Sequence, residues 1–563
     1  MIFMSLGDGA RAGFWMSVAL CAWFAPRMAE PLLRKWERAA GRFAAHRALS
    51  CAVVALVVLL TRAALLPFWP IPKPYVYDEF GYILQSDTFA SGRLTNSTHP
   101  LAPFFESIYV LQYPTYNAKF PPGQGLMLSV GQMIFDHPWF GVWLSCGLLA
   151  AALSWALQGW LPPAWALFGS LVALPLCISS YWMNSFWGGA LAAIGGALVV
   201  GAYPRLLPPN RGLVPPKRGH IAAWVLALGA ILLIYTRPFE GCLLLAPVFL
   251  MLLGKRIGRR NWSAILLVAV LGAGWLGYYN YRVTGSPTRL PYFEYDRQYP
   301  STSHFNVIPL PPPHKFAHLD FTLMDRWERE TWALARSWGF LATRFKKVYE
   351  MFDLFLGSTV LLVPVALFWR TLLSTPRLRL LWWSLLSGAV AVAIETQYYQ
   401  HYAAPILVVI LILTVQAFRH LRVSQYSGKP IGRFLGRAIP AAMLLIAGSH
   451  QAVQLYRPKT LEETYPPNAR RERLADALLE RAGGHVVFVR YTDYRFPQEE
   501  WIYNRADIDN APVIWAQDMG RQENLRLVEY FKGRSFWLLK PDENPDQAES
   551  YSGVDGEGAA PPP

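Results

Sequence analysis

Two adjacent carboxylates open a long polar segment of the chain, in Tyr75-Val76-Tyr77-Asp78-Glu79-Phe80. Flanking aromatics lower local polarity and raise a carboxylate's pKa, which suits a group that takes a proton from a hydroxyl. On spacing alone a solvated or helix-capping pair is an equal reading, because acids favour helix N-termini. Three basic groups sit at the ends of apolar or amphipathic segments: Lys119 in Asn117-Ala118-Lys119-Phe120-Pro121-Pro122-Gly123, Arg237 in Tyr235-Thr236-Arg237-Pro238, and His401 in Gln400-His401-Tyr402. Each alone reads as an interfacial anchor. Together, a carboxylate pair and several cations at one membrane depth suit a reaction in which an anionic phosphate departs. Cations stabilise the charge that develops on phosphate, and a carboxylate deprotonates the attacking hydroxyl.

Other candidates carry less. Arg62 lies inside an apolar run, where a charge is a functional candidate by default, although its long side chain can reach the interface. His99, His304, His314 and His318 lack metal-ligand spacing and read as surface or cleft residues. Asp507-Ile508-Asp509 resembles the metal-holding pair of soluble sugar transferases. It lies in a segment expected to face outward, away from nucleotide sugars, so a loop or capping role is the better reading. The Asn96-Ser97-Thr98 sequon has meaning only in a eukaryotic secretory pathway. The five cysteines, Cys21, Cys51, Cys146, Cys177 and Cys242, all fall in apolar runs without a CxxC, so no disulfide framework and no thiolate metal site are expected.

These residues must be positioned by a membrane protein. Only 16% of the 563 residues are charged, where a soluble chain would carry about a quarter. Apolar runs take the place of the missing charge, near 48–69, 139–157, 163–180, 186–203, 220–236, 240–254, 263–280, 353–369, 380–397, 402–418 and 438–455. That predicts about eleven transmembrane helices, or twelve if the weaker run at 13–25 also crosses. That run also fits a helix lying in the interface; a signal peptide is disfavoured because no small-residue cleavage site follows. The net charge of +15 could point to nucleic acid, but the basic residues cluster between apolar runs, and no nucleic-acid partner is expected. Basic clusters occupy 26–47, 204–219, 255–261, 370–379 and 419–437. Counting spans puts all five on one side, which the positive-inside rule assigns to the cytoplasm.

The other side then carries 70–138, 281–352, 398–401 and the chain after 456. The 70–138 loop holds a short amphipathic stretch after Glu79. The 281–352 loop is rich in Pro and aromatics at first and then reads as a charged helix from about 322 to 350. After 483, short β-type runs (Val486–Val489, Val513–Trp515, Phe536–Leu539) alternate with a helical stretch near Leu525–Phe531, which predicts a small α/β domain. Beyond Pro541 the chain is acidic and rich in Pro and Gly, a composition of disorder. The expected organisation is an N-terminal segment (1–47), a transmembrane catalytic domain (48–455), an extracytoplasmic α/β domain (456–541) and a tail (542–563).

At Asp78-Glu79 the sequence resembles the GT-C glycosyltransferases, in the branch containing protein O-mannosyltransferases and the lipid A aminoarabinose transferase (glycosyltransferase family 39 and relatives). Tyr77-Asp78-Glu79-Phe80-Gly81-Tyr82 is similar to that family's first-loop acidic motif. Lys119-Phe120-Pro121-Pro122 is similar to its Lys-Pro-Pro element with Phe120 inserted. Arg237-Pro238 stands where relatives place Lys-Gly-Pro, and His401-Tyr402 where many have Arg-Tyr. The likeness covers roughly 48–455. It implies a GT-C-like helical fold in a bacterial inner membrane and a polyprenyl-phosphate sugar donor used on the periplasmic side. Asp78 would be the catalytic base, Glu79 would orient it or meet the acceptor, and Lys119, Arg237 and His401 would bind the lipid phosphate. No metal or other cofactor is implied. The sugar and the acceptor (glycan, lipid or protein) stay open. A transporter or flippase for a lipid-linked glycan and a non-catalytic envelope assembly protein are the competing readings.

Overall fold

The computed structural model describes residues 8–74, 76–207, 219–255, 257–300, 304–456, 466–491 and 500–551. The chain is mainly helical, and each of the eleven expected runs is helical over most of its length. Among the described residues, five helices are long and apolar enough to cross a membrane unaided: Arg47–Ala64, Trp139–Trp160, Arg259–Thr284, Pro376–Ile394 and Gln400–Val423. Shorter apolar helices, among them Ala190–Leu206, His220–Thr236 and Pro238–Leu253, pack between them. Gln400–Val423 lies deepest, with Leu407, Val408, Val409, Leu411 and Ile412 fully buried. The weak first run forms the Asp8–Phe24 helix.

Two expectations change. The 353–369 run is not one straight span: Gly339–Leu356 and Thr359–Leu367 meet at 92°. Gly357 stands between them at φ 73°, a left-handed conformation that ends the first helix. Hydropathy averages over such a stop and cannot see it. The charged helix expected from 322 to 350 is two helices, Leu319–Ala335 and Gly339–Leu356.

Four basic segments gather at one end of the helical body. The Arg47 carbonyl accepts from Gln158 at 3.0 Å, Arg205 donates to the Trp155 carbonyl at 2.7 Å, and Arg377 to the Gly159 carbonyl at 3.1 Å. Arg422 and Arg437 pair with Glu37. Shared placement is what a common membrane side requires. Arg211, Lys217, Arg218 and Arg256 lie outside the described residues. Arg62 is fully buried near the opposite end; it donates to Asn184 and to the carbonyls of Trp69 and Pro70, and its guanidinium stacks 4.8 Å from the Trp139 ring. Its charge is thereby spent on holding the turn after its helix.

The opposite end carries the first loop, the 281–352 segment and the C-terminal α/β unit. That unit has three parallel strands, with His485–Val489 between Val513–Gln517 and Ser535–Leu539, and a short antiparallel edge, Glu549–Ser550. Helices Pro466–Leu479 and Arg521–Tyr530 accompany the sheet. Val486, Phe488 and Ile514 share one apolar core with Phe80, Phe104 and Phe105 of the first loop. Polar contacts fasten the same junction: Ser107 donates to Glu500 at 2.6 Å, Tyr116 to the Asn504 carbonyl at 3.0 Å, and Gln517 to Asp320 at 3.1 Å. The tail expected to be disordered from 542 is instead ordered to 551, because Glu549–Ser550 pairs with the Ser535–Leu539 strand and Tyr551 packs on the core; residues 552–563 lie outside the described residues.

Candidate active site

Asp78 sits in the first turn of the Tyr77–Ala90 helix, where the unpaired N–H groups and the helix dipole favour an anion. Glu79, next to it, starts that helix. One carboxylate oxygen accepts from the Val76 N–H at 3.1 Å, and the other accepts from the Phe186 N–H at 2.9 Å, in the connection before the Ala190–Leu206 helix. Glu79 is 3% exposed, so these bonds tie the helix start to the helical body in a dry setting. Nearly every residue of this helix between Tyr77 and Phe89 is buried, which replaces the amphipathic stretch expected after Glu79.

Lys119 follows a two-residue strand, Asn117–Ala118, paired antiparallel with Val110–Leu111. Its N–H donates to the Tyr109 carbonyl at 3.0 Å. Phe120 then stacks on Tyr82 at 4.5 Å, and Pro122 opens the Pro122–Phe135 helix at a position where its missing N–H costs nothing. The Lys119 ammonium stands 3.5 Å from the Tyr109 ring centre, 4.8 Å from Tyr295 and 5.6 Å from Tyr292. Such a cage stabilises a desolvated cation by about 2 kcal/mol.

Arg237 lies in the turn between the Gly219–Thr236 and Pro238–Leu253 helices. Its guanidinium covers the Tyr402 ring at 4.2 Å and faces Glu240 at 3.7 Å. Gly123 brings this turn to the Lys119 loop: a Cβ there would lie 2.7 Å from both the Tyr235 carbonyl oxygen and the Thr236 methyl. Only glycine permits that approach without displacement.

Asp78, Lys119 and Arg237 converge on one cavity of about 460 Å³. Its wall is aromatic, with Tyr82, Tyr292, Phe293, Trp327 and Tyr399 among the lining residues, and it holds further acids at Asp296, Glu328, Glu240 and Glu395. Asp78 keeps part of its surface open to this space although it lies well beneath the protein surface. Burial pushes its carboxyl up, and Lys119 and Arg237 pull it back. Burial pushes the Lys119 ammonium down, opposed by Asp296, Glu328 and Asp78. A carboxylate in such a setting gains a proton more readily than an exposed one, while the neighbouring cations favour its charged form.

Two of the five expected residues stand elsewhere. Glu79 is outside the cavity lining, with its carboxylate on two backbone N–H groups at the start of the helix that carries Asp78. His401 is also outside the lining; it is 1% exposed, its Nδ1 is 2.9 Å from the Tyr181 hydroxyl, and its ring packs at 4.8 Å from both Trp187 and Tyr402. It supports the wall that Tyr399 and Tyr402 present. His304 lines the cavity, 3.1 Å from Asp296. His99 and His318 are buried against Asp509 and Glu106, rather than lying on the surface. Asp507 binds Asn510, and Asp509 also accepts from Tyr530, so this pair serves the loop and its docking.

The sequence reading missed the tyrosines around Lys119 and the acids Glu240 and Glu395. Glu240 carried a weak signal, three residues after Arg237 on a helix start. Tyr109, Tyr292 and Tyr295 carried none, because they reach Lys119 from separate segments.

No protein-family model matches the chain. No curated protein matches it either. Among solved structures, the chain is similar to ArnT from Cupriavidus metallidurans in the apo state, at 13% identity and a TM-score of 0.46 over 87% of this chain and 94% of that one. It is similar likewise to ArnT from Cupriavidus metallidurans bound to undecaprenyl phosphate, at 12% identity and a TM-score of 0.47 over 88% of this chain and 93% of that one.

Proposed function

We propose that this protein is a GT-C-type glycosyltransferase of the bacterial inner membrane, transferring a sugar from a polyprenyl-phosphate donor to an acceptor hydroxyl on the periplasmic face. The observation that carries this reading is the convergence of Asp78, Lys119 and Arg237, from three separated segments, on one aromatic-lined cavity. The cavity lies at the end of the helical body away from the gathered basic segments, and the α/β unit packs on the same end as the first loop. Lys119 and Arg237 hold the donor phosphate and stabilise its charge as it leaves. Asp78 accepts the proton of the attacking hydroxyl, and inversion at the sugar carbon needs no covalent intermediate. Glu79 holds the start of the helix that aims Asp78. The transport reading lacks a comparable feature, since Arg62, the buried charge in the first long span, is engaged by Asn184 and two backbone carbonyls.

The test is transfer of labelled sugar from polyprenyl phosphate in membranes, with protein level checked alongside. Asp78→Asn keeps the size and removes the base, so turnover falls by about two to four decades while donor binding persists. Near-normal turnover by that variant eliminates Asp78 as the base. Loss of specific envelope glycans or lipid-linked sugars on deletion, read by mass spectrometry, identifies sugar and acceptor.

A further inference from the structure

We propose a second anion site, at the basic end of the molecule and away from the Asp78 cavity, that binds a phosphate group between Arg34, Arg422, Arg433 and Arg437. These four arginines line a polar cavity of about 350 Å³ between the Glu30–Ala45 helix and the residues 422–437 that join the last two long helices.

The arginines are held in place rather than loose. Glu30 accepts from Arg34 at 2.6 Å, from Arg433 at 3.2 Å and from Arg437 at 2.8 Å. Glu37 accepts a two-bonded contact from Arg422, at 2.6 and 2.7 Å, and a second from Arg437, at 2.8 and 2.9 Å. Four guanidinium groups against two carboxylates leave a surplus of two positive charges. Among the described residues, the terminal nitrogens of Arg34 and Nη2 of Arg433 have no hydrogen-bond acceptor. Fixed forks with free N–H donors and a surplus charge of two match a phosphate oxygen array.

The same helix indicates the depth of the site. Glu30, Arg34 and Glu37 form its inward stripe at spacings of four and three, and Leu32 and Trp36 form the opposite stripe, 57% and 68% exposed. A helix with an exposed Leu and Trp stripe and an arginine-rich polar face lies in the membrane interface, at headgroup level. The phosphate can therefore come from an anionic lipid headgroup or from a soluble phosphate compound.

Two probes separate these sources, both applied to full-length protein carrying Lys119→Ala and Arg237→Ala so that both cations of the Asp78 cavity are removed. Inorganic pyrophosphate is titrated calorimetrically into detergent-purified protein. In parallel, thermal stability is compared in nanodiscs of phosphatidylcholine with and without phosphatidylglycerol, with retained lipid read by native mass spectrometry. Each measurement is repeated with Arg34→Gln and Arg433→Gln combined. The expected result is binding of at least one probe, weakened about tenfold or more by the double variant. Binding of pyrophosphate assigns a soluble ligand, and phosphatidylglycerol dependence alone assigns a lipid. If the double variant does not accumulate, Arg433→Gln alone carries the comparison. Binding of neither probe, or binding that the substitutions leave intact, overturns the site.

Discussion

Gly123 lies so close to Tyr235 that a single methyl group on its α-carbon would stand 2.7 Å from the Tyr235 carbonyl oxygen. The contact joins the loop that ends in Lys119 to the turn that carries Arg237. A backbone carbonyl inside a helical pair does not yield cheaply, so Gly123→Ala pushes the two segments apart. Overpacking of this kind costs about 1–3 kcal/mol. The expected outcome is a lower melting temperature in detergent together with a raised KM for the polyprenyl-phosphate donor. Unchanged values for both would show that the two segments adjust independently.

Lys119 and Arg237 should each matter to donor use. Loss of a charge-assisted contact costs about 1.5–3 kcal/mol, so Lys119→Gln and Arg237→Gln each lower kcat/KM by roughly one to two decades. Lys119→Arg should rescue little, because the rings of Tyr109 and Tyr295 stand at 3.5 and 4.8 Å around a compact ammonium. Kinetics against labelled donor decide it; wild-type values in both Gln variants would return these residues to the role of interfacial anchors.

Glu79 provides a way to separate positioning from catalysis. In Glu79→Gln one of the two backbone N–H groups now bound by the carboxylate must face an amide NH2 instead. A buried donor left unpaired costs about 1–3 kcal/mol. The variant should therefore lose stability and turnover while the pH dependence of kcat keeps its wild-type shape. A shifted pH profile would instead make Glu79 a proton-transferring group.

Glu500 links the α/β unit to the first loop and makes that link pH-dependent. Burial pushes its carboxyl from about 4.5 up to about 8; the hydrogen bond from Ser107 works against the rise, and nearby Asp320 adds to it. A carboxyl whose folded pKa exceeds its unfolded one binds the proton more tightly when folded. Its contribution is fully present below about 4.5, declines as pH rises, and is gone above about 8. One proton permits a slope of at most about 1.4 kcal/mol per pH unit. Limited proteolysis of the α/β unit should accelerate between pH 6 and pH 8 in the wild type. Glu500→Gln keeps the shape without the charge and should flatten that dependence; an equal slope in both proteins would exclude Glu500 as its source.

Much of the architecture was legible in the sequence because its causes are local. A helix in lipid must be apolar along its length, so the runs at 139–157 and 402–418 could be read one residue at a time and recur as Trp139–Trp160 and Gln400–Val423. Basic residues between spans obey a rule of side, and four of the five clusters meet at one end of the fold. Asp78, Lys119 and Arg237 were visible because polar residues at the ends of apolar segments are few. What only the tertiary structure decided depends on contacts between residues far apart in the chain. For Glu79 the sequence left open whether it orients Asp78 or meets the acceptor; the N–H that its carboxylate accepts comes from Phe186, over a hundred positions later. His401 has the span-end placement of a phosphate ligand, but Tyr181 and Trp187 enclose it behind the cavity wall. The tyrosines around Lys119 come from two loops whose proximity follows from helix packing, which no periodicity along one segment encodes. The bend at Gly357 shows the same limit within a single run: hydropathy registers how apolar a segment is, and a left-handed residue decides where it turns.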